Sequence, residues 1–113
     1  MSLETLRLTA LEAVEWLVGE DYDSLVHWCA KSRLTAKDLR AVIREYGRKV
    51  VLPPIDAYQR LDAVQVKGVA VPTWSVRVPL WTEEEGRSDL TLELTIALGR
   101  DDPIVELDDL HVL

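Results

Sequence analysis

Residues 74–98 read WSVRVPLWTEEEGRSDLTLELTIAL, two runs of alternating apolar and polar side chains separated by an acidic, glycine-bearing stretch. A period of two marks strands with one dry and one wet face, and the short break marks a hairpin turn. Even-numbered Trp74, Val76, Val78 and Leu80 fall with Leu90, Leu92, Leu94, Ile96 and Leu98. Odd-numbered Ser75, Arg77, Pro79 and Trp81 fall with Thr91, Glu93, Thr95 and Ala97. A one-residue slip would exchange the faces, so few registers are admissible. The register that sets Arg77 opposite Glu93 and Ser75 opposite Thr95 gains about 0.2–1 kcal/mol from opposite charges across the strands. The even face is therefore expected to be the core. A pocket under this hairpin would find no titratable group on its inner wall.

Upstream, the period is 3.6. Ser2 can cap a helix whose Leu3, Leu6, Ala10, Ala13, Val14 and Leu17 form one stripe, and Gly19 stands where a C-terminal cap is expected. A short helix begins at Asp21 or Asp23. A third begins at Thr35, with Asp38 three residues on, and ends at Gly47. Pro53-Pro54 closes the helical part. Strands are expected at Leu61–Lys67, Thr73–Thr82, Ser88–Leu98 and Ile104–Val112. The expected fold is one α+β domain over residues 1–113. Three N-terminal helices (helical half 1–52) cover one face of a four-stranded antiparallel meander (sheet half 61–113).

The 113 residues are 48% hydrophobic and 29% charged, a globular balance for a single domain. The longest stretch without a charge, Gly68 to Val76, is too short for a membrane-spanning helix, and the N-terminus lacks the pattern of a signal peptide. The single cysteine, Cys29, fits a reducing cytoplasm. Residues 1–60 are electrically balanced, so residues 61–113 carry the whole net charge of −7. Such acidity disfavours nucleic acid and attracts basic partners, besides keeping a small protein in solution.

The segments GEDYDSLVHW (19–28), LTAKDLRAVIREYG (34–47), PTWSVRVPLWTEEEGRSDLTLELT (72–95) and VELDDLHVL (105–113) resemble a family of small bacterial proteins known as a domain of unknown function. Helices followed by a curved antiparallel sheet are in turn similar to the nuclear-transport-factor-2-like, cystatin-like cone. That class includes isomerases, dehydratases, small-molecule binders, dimerisation modules and toxin-neutralising proteins. The resemblance implies the fold and brings no catalytic residue with it.

Candidate sites follow from the residues. His27 and Cys29 lie two apart on a helix, diverge, and cannot pair; Cys29 belongs to the apolar side. In the tail, Val105 and Leu107 are out of phase with Leu110 and Val112, which a β-bulge at Asp108 and Asp109 would repair. The bulge could turn an aspartate into the cone beside His111 for acid–base work, or leave solvated carboxylates. A metal site there lacks ligand spacing, and no cofactor motif occurs. Trp81, on the polar sheet face, is a candidate interface anchor, with packing under a turn as the alternative. Glu83, Glu84, Glu85 and Glu93 would guide a basic partner. Lys37, Arg40, Arg44 and Arg48 line one flank of the third helix, read as a solvated face or a means of self-association.

The preferred expectation is a non-catalytic, cytoplasmic protein-binding module, with an immunity-type neutraliser of a basic partner as one concrete form. The first alternative is a small-molecule binder or acid–base enzyme using Tyr22, His27, Tyr46, Asp108, Asp109 and His111. The second is a homodimeric structural domain.

Overall fold

The computed structural model describes residues 3–113. The helix cap expected at Ser2 lies outside the described residues. In chain order the elements are α1 (Leu3–Val18), α2 (Tyr22–Trp28), β1 (Lys31–Ser32), α3 (Ala36–Tyr46), β2 (Val50–Val51), β3 (Asp62–Gln65), β4 (Thr73–Thr82), β5 (Gly86–Ala97) and β6 (Ile104–Val112).

Each helix is bounded by the chemistry of its ends. Asp21 caps α2 by accepting from the Ser24 N–H, and Thr35 and Asp38 form a reciprocal capping box at α3. Gly47 ends α3 in the left-handed region, at φ 74°. The end of α1 departs from expectation. Glu20, at φ 58°, takes the left-handed position, one residue beyond Gly19. The Glu20 N–H reaches the Leu17 carbonyl and the Asp21 N–H the Trp16 carbonyl, a Schellman pair that needs its left-handed residue at position 20.

The long hairpin has the register read from its charges: Arg77 stands opposite Glu93, and Ser75 opposite Thr95. Three residues, Glu83 to Glu85, join the strands, and Gly86 receives the chain at φ 75°, the left-handed position that such a loop requires. The even residues Val76, Val78, Leu80, Leu90, Leu92, Leu94 and Ile96 are fully buried, beneath Leu6, Ala10, Val14, Leu17, Leu25 and Leu39 of the helices. At about 25 cal/mol per Å² of apolar surface, that contact is the main source of stability. Among the described residues, the helices pack on this even face, while on the odd face Tyr58 packs against Trp81 and Thr91 is buried.

Two features differ from the four-stranded meander. The sheet has six strands, ordered β1-β6-β5-β4-β2 with β3 also on β4, and β1 runs parallel to β6. The added strands β1 and β2 are two residues each, too short to show a period. The expected strand Leu61–Lys67 shortens to Asp62–Gln65. Bulges between Pro79 and Trp81 and opposite Glu93–Leu94 curl the sheet. No helix among the described residues is long and apolar enough to cross a membrane.

Candidate functional site

The pairing of β3, β4, β5 and β6 lays out the odd face in rows. One row runs Val64, Ser75, Thr95, Glu106, and the next runs Asp62, Arg77, Glu93, Asp109. A third, nearer the sheet's end, joins Thr73, Ala97 and Ile104. The bulge expected from the phase break in the tail is present: Glu93 pairs with Asp109 and Leu94 with Leu107, so Asp108 is the extra residue. It turns both aspartates outward. Asp108 accepts from the Thr95 hydroxyl at 2.6 Å, and Asp109 from the Leu110 N–H at 2.9 Å. Neither faces an interior cavity, which corrects the cone-lining alternative for them.

His111 joins this cluster. Its Nδ1 lies 2.7 Å from Asp109 Oδ2, and its Nε2, shielded from solvent, approaches Glu93 Oε2 at 2.8 Å without an aligned hydrogen bond. Arg77 Nε is 4.0 Å from the same Glu93 oxygen. The face thus sets the carboxylates of Asp62, Glu93, Glu106, Asp108 and Asp109 around Arg77 and His111. Val64 and Ile104 border it at 63% and 54% exposure. Sequence reasoning found Glu93, Asp108, Asp109 and His111 but missed Asp62 and Glu106. Their place on this face depends on pairings to β4 and β5 that short or bulged strands do not announce.

The acidic turn is used differently from the expectation. Glu85 accepts hydrogen bonds from Tyr46 at 2.8 and 3.0 Å and from the Thr82 hydroxyl at 3.0 Å. Glu84 accepts from the Lys49 N–H at 3.0 Å, and Glu83 sits 3.8 Å from Lys49 Nζ. The turn therefore ties the hairpin to the end of α3, while its three glutamates stay exposed and, among the described residues, only Lys49 forms an ion pair with them. Burial first, then the Glu85 carboxylate, holds the Tyr46 hydroxyl above its ordinary value, so it remains a donor. Glu85→Ala should cost about 1–2 kcal/mol in urea unfolding, the worth of a carboxylate's hydrogen bonds at a partly solvated site. Glu83→Ala should change stability by less than about 0.5 kcal/mol, because exposed ion pairs contribute little.

Trp81 is half-buried, packed edge-on by Tyr58 with ring centroids 5.9 Å apart at 75°. Packing against a neighbouring segment, the alternative expected for a tryptophan on the polar face, accounts for its place. Cys29 is buried in the core, with its thiol pushed up to about 11 by burial, which leaves almost no thiolate near neutral pH.

The residues of the acid–base alternative do not converge on one cavity. His27 is exposed and borders an open groove of about 860 Å³ together with Trp16 and Trp28. A second hollow, of about 460 Å³, is lined by Tyr46 and His111 between α3 and the end of β6. Its size and two polar groups meet the general requirement of a small-molecule site. The Tyr46 hydroxyl, however, is directed to Glu85, and His111 to the outer carboxylates. Tyr22 is buried beneath Arg40, in a third place. Among the described residues, no three His, Cys, Asp or Glu side chains are grouped so as to hold a metal ion.

The model of a family described as a domain of unknown function, DUF7668, matches residues 14–113, and the chain belongs to that family. No curated protein matches the chain. No solved structure matches it.

Proposed function

We propose that this DUF7668 member is a protein-binding module that uses the exposed, charged part of its outer sheet face to hold a basic surface of another protein. One observation carries the reading: all the helices pack on the even face, and the odd face sets five carboxylates around Arg77 beside exposed Val64 and Ile104. The carboxylates would steer and orient a basic partner, and exposed Val64 and Ile104 add apolar contact area at the edge of the charged rows. The acidic half of the chain, residues 61–113, contributes every one of these groups. The guiding charges move from the Glu83–Glu85 turn to Asp62, Glu93, Glu106, Asp108 and Asp109, and the apolar anchor from Trp81 to Val64 and Ile104.

Neutralisation of a basic protein in a bacterial cytoplasm, as an immunity protein does for a toxin, is one form of this function. The helices-then-curled-sheet order supports a nuclear-transport-factor-2-like cone as its scaffold. In the homodimer alternative, the same face would meet its own copy, acids against acids. Its net charge of −7 speaks against that pairing.

Three immobilised baits test the proposal in extract of the source cells: the wild-type protein, Asp62→Lys/Glu106→Lys, and Glu83→Lys/Glu84→Lys. At low salt, a basic protein should be held by the first and third and lost by the second. Retention that ignores the Asp62/Glu106 reversal, or fails only with the turn reversal, would refute it. A second reading, acid–base chemistry at the hollow shared by Tyr46 and His111, predicts a saturable small-molecule ligand whose binding His111→Gln abolishes.

A further inference from the structure

At the other side of the molecule, α3 presents Lys37, Arg40 and Arg44 along one exposed flank, and exposed Arg48 follows just beyond its Gly47 cap. Arg40, Arg44 and Arg48, with Lys49, converge on a hollow of about 450 Å³ between the end of α1, the end of α3 and the β4–β5 turn. In a chain with 20 acidic and 13 basic residues, four cations around one depression run against the composition. The Lys49 ammonium is answered by Glu83, and its backbone N–H is taken by Glu84. The three arginines make no ion pair with any described residue. Arg40 lies over the Tyr22 ring, its guanidinium carbon 5.4 Å from the centroid. Tyr22 is buried, so this stacking holds the guanidinium near the floor of the hollow with its N–H edges unused.

The corner already holds carboxylates of the protein's own. Glu84 accepts the Lys49 backbone N–H there, so a backbone donor already holds a carboxylate oxygen at this place. Glu20 stands on the facing wall, in its left-handed conformation. Its charge and that of Glu84 limit the basic surface to a short patch. An extended polyanion such as a nucleic-acid backbone would run into both acids, whereas a compact group seated between the arginines would not.

We infer that this hollow binds a small molecule through a multiply charged oxyanion of the phosphate or diphosphate class, with Arg40 and Arg44 as the principal donors and Arg48 at the rim. Planar guanidinium groups match such oxygens with paired N–H donors, which lysine cannot do. The site is separate from the outer sheet face and stands whether or not that face binds a protein.

The test titrates pyrophosphate, orthophosphate and acetate into the full chain at constant ionic strength, followed by backbone amide NMR. Pyrophosphate should bind saturably, more tightly than orthophosphate, and shift amides around Arg40, Arg44, Gly47 and Glu20, while acetate should not. Arg40→Ala/Arg44→Ala should weaken pyrophosphate by at least about tenfold, and Arg40→Lys/Arg44→Lys should restore only part of it. Glu20→Gln should tighten binding a few-fold by removing a facing charge, about the effect of one nearby like charge in partly screened solvent. Arg87→Ala, an exposed arginine elsewhere, should change nothing. All the substituted side chains are exposed, and unchanged amide spectra outside the hollow establish that the variants fold. Non-saturable shifts, or equal losses with Arg40→Ala/Arg44→Ala and Arg87→Ala, would overturn the assignment.

Discussion

Val76→Asp should leave little or no folded protein, whereas Ser75→Asp, one residue earlier in β4, should leave it folded. Val76 is fully buried on the inner face, and Ser75 is exposed on the outer one. A carboxyl group at position 76 would lose the valine's packing and find only apolar neighbours. Burying a polar group without a partner costs about 2–7 kcal/mol, and an ionised one more. Domains of this size hold a total stability on the order of 5–15 kcal/mol, so one such change removes most of it. At position 75 the carboxylate points into water beside Arg77, and the change should stay within about 0.5 kcal/mol. Circular dichroism with urea titration reads both. Equal tolerance at the two positions would mean that the faces are assigned wrongly.

Tyr58→Ala should cost about 3–5 kcal/mol, the usual penalty for deleting a buried aromatic side chain. Tyr58 sits in the segment between β2 and β3, is 3% exposed, and closes the stretch of β4 edge that neither short strand covers. Its hydroxyl donates to the Pro79 carbonyl at 2.8 Å, and burial holds that hydroxyl well above the ordinary tyrosine value, so it is always protonated. Pro79 is tolerated in this long strand for a related reason. A residue's N–H and C=O point to the same side of a strand, so the missing donor would have faced Tyr58 and not β5. Tyr58→Phe keeps the ring against Trp81 and leaves the carbonyl unpaired, and should cost only about 0.5–1.5 kcal/mol. The ratio of the two losses, measured in urea, separates packing from hydrogen bonding. A loss below about 1 kcal/mol for Tyr58→Ala would show that this segment does not seal the core.

The parts of the fold legible in sequence are those with enough residues to display a period. β4 and β5 alternate over ten and twelve residues, so their faces and register follow from pattern and charge. The Asp108 bulge was legible as a phase error between Leu107 and Leu110, because one face must stay buried on both sides of it. β1 and β2 were not legible, since two residues have no pattern and their pairing depends on a sheet already formed. Tyr58 was hidden for the same reason, in a stretch of turns without periodicity.

The site divides along the same line. Acidity in residues 61–113 was visible, but which acids remain free was not. Glu84 and Glu85 form an exposed cluster in the structure too, but their bonds to Lys49 and Tyr46, 35 and 39 residues upstream, leave no mark in the sequence. The arginine stripe on α3 was visible as well. Its hollow was not, because Tyr22, Glu20 and the β4–β5 turn come from three other places in the chain.

The most direct measurement uses the chemistry of the lone cysteine as a silent background. Cys29 is 7% exposed with a thiol pushed up to about 11, so native protein should resist a water-soluble thiol reagent at neutral pH. Arg77→Cys places a thiol on the charged outer face, where the native side chain is 55% exposed, and Val78→Cys places one on the fully buried face. Labelling at position 77 should proceed within the time of reagent mixing and reaction, and labelling at position 78 only on addition of denaturant. Fast labelling at 78 with protection at 77 would contradict the sheet's orientation, and with it the recognition surface built on that orientation.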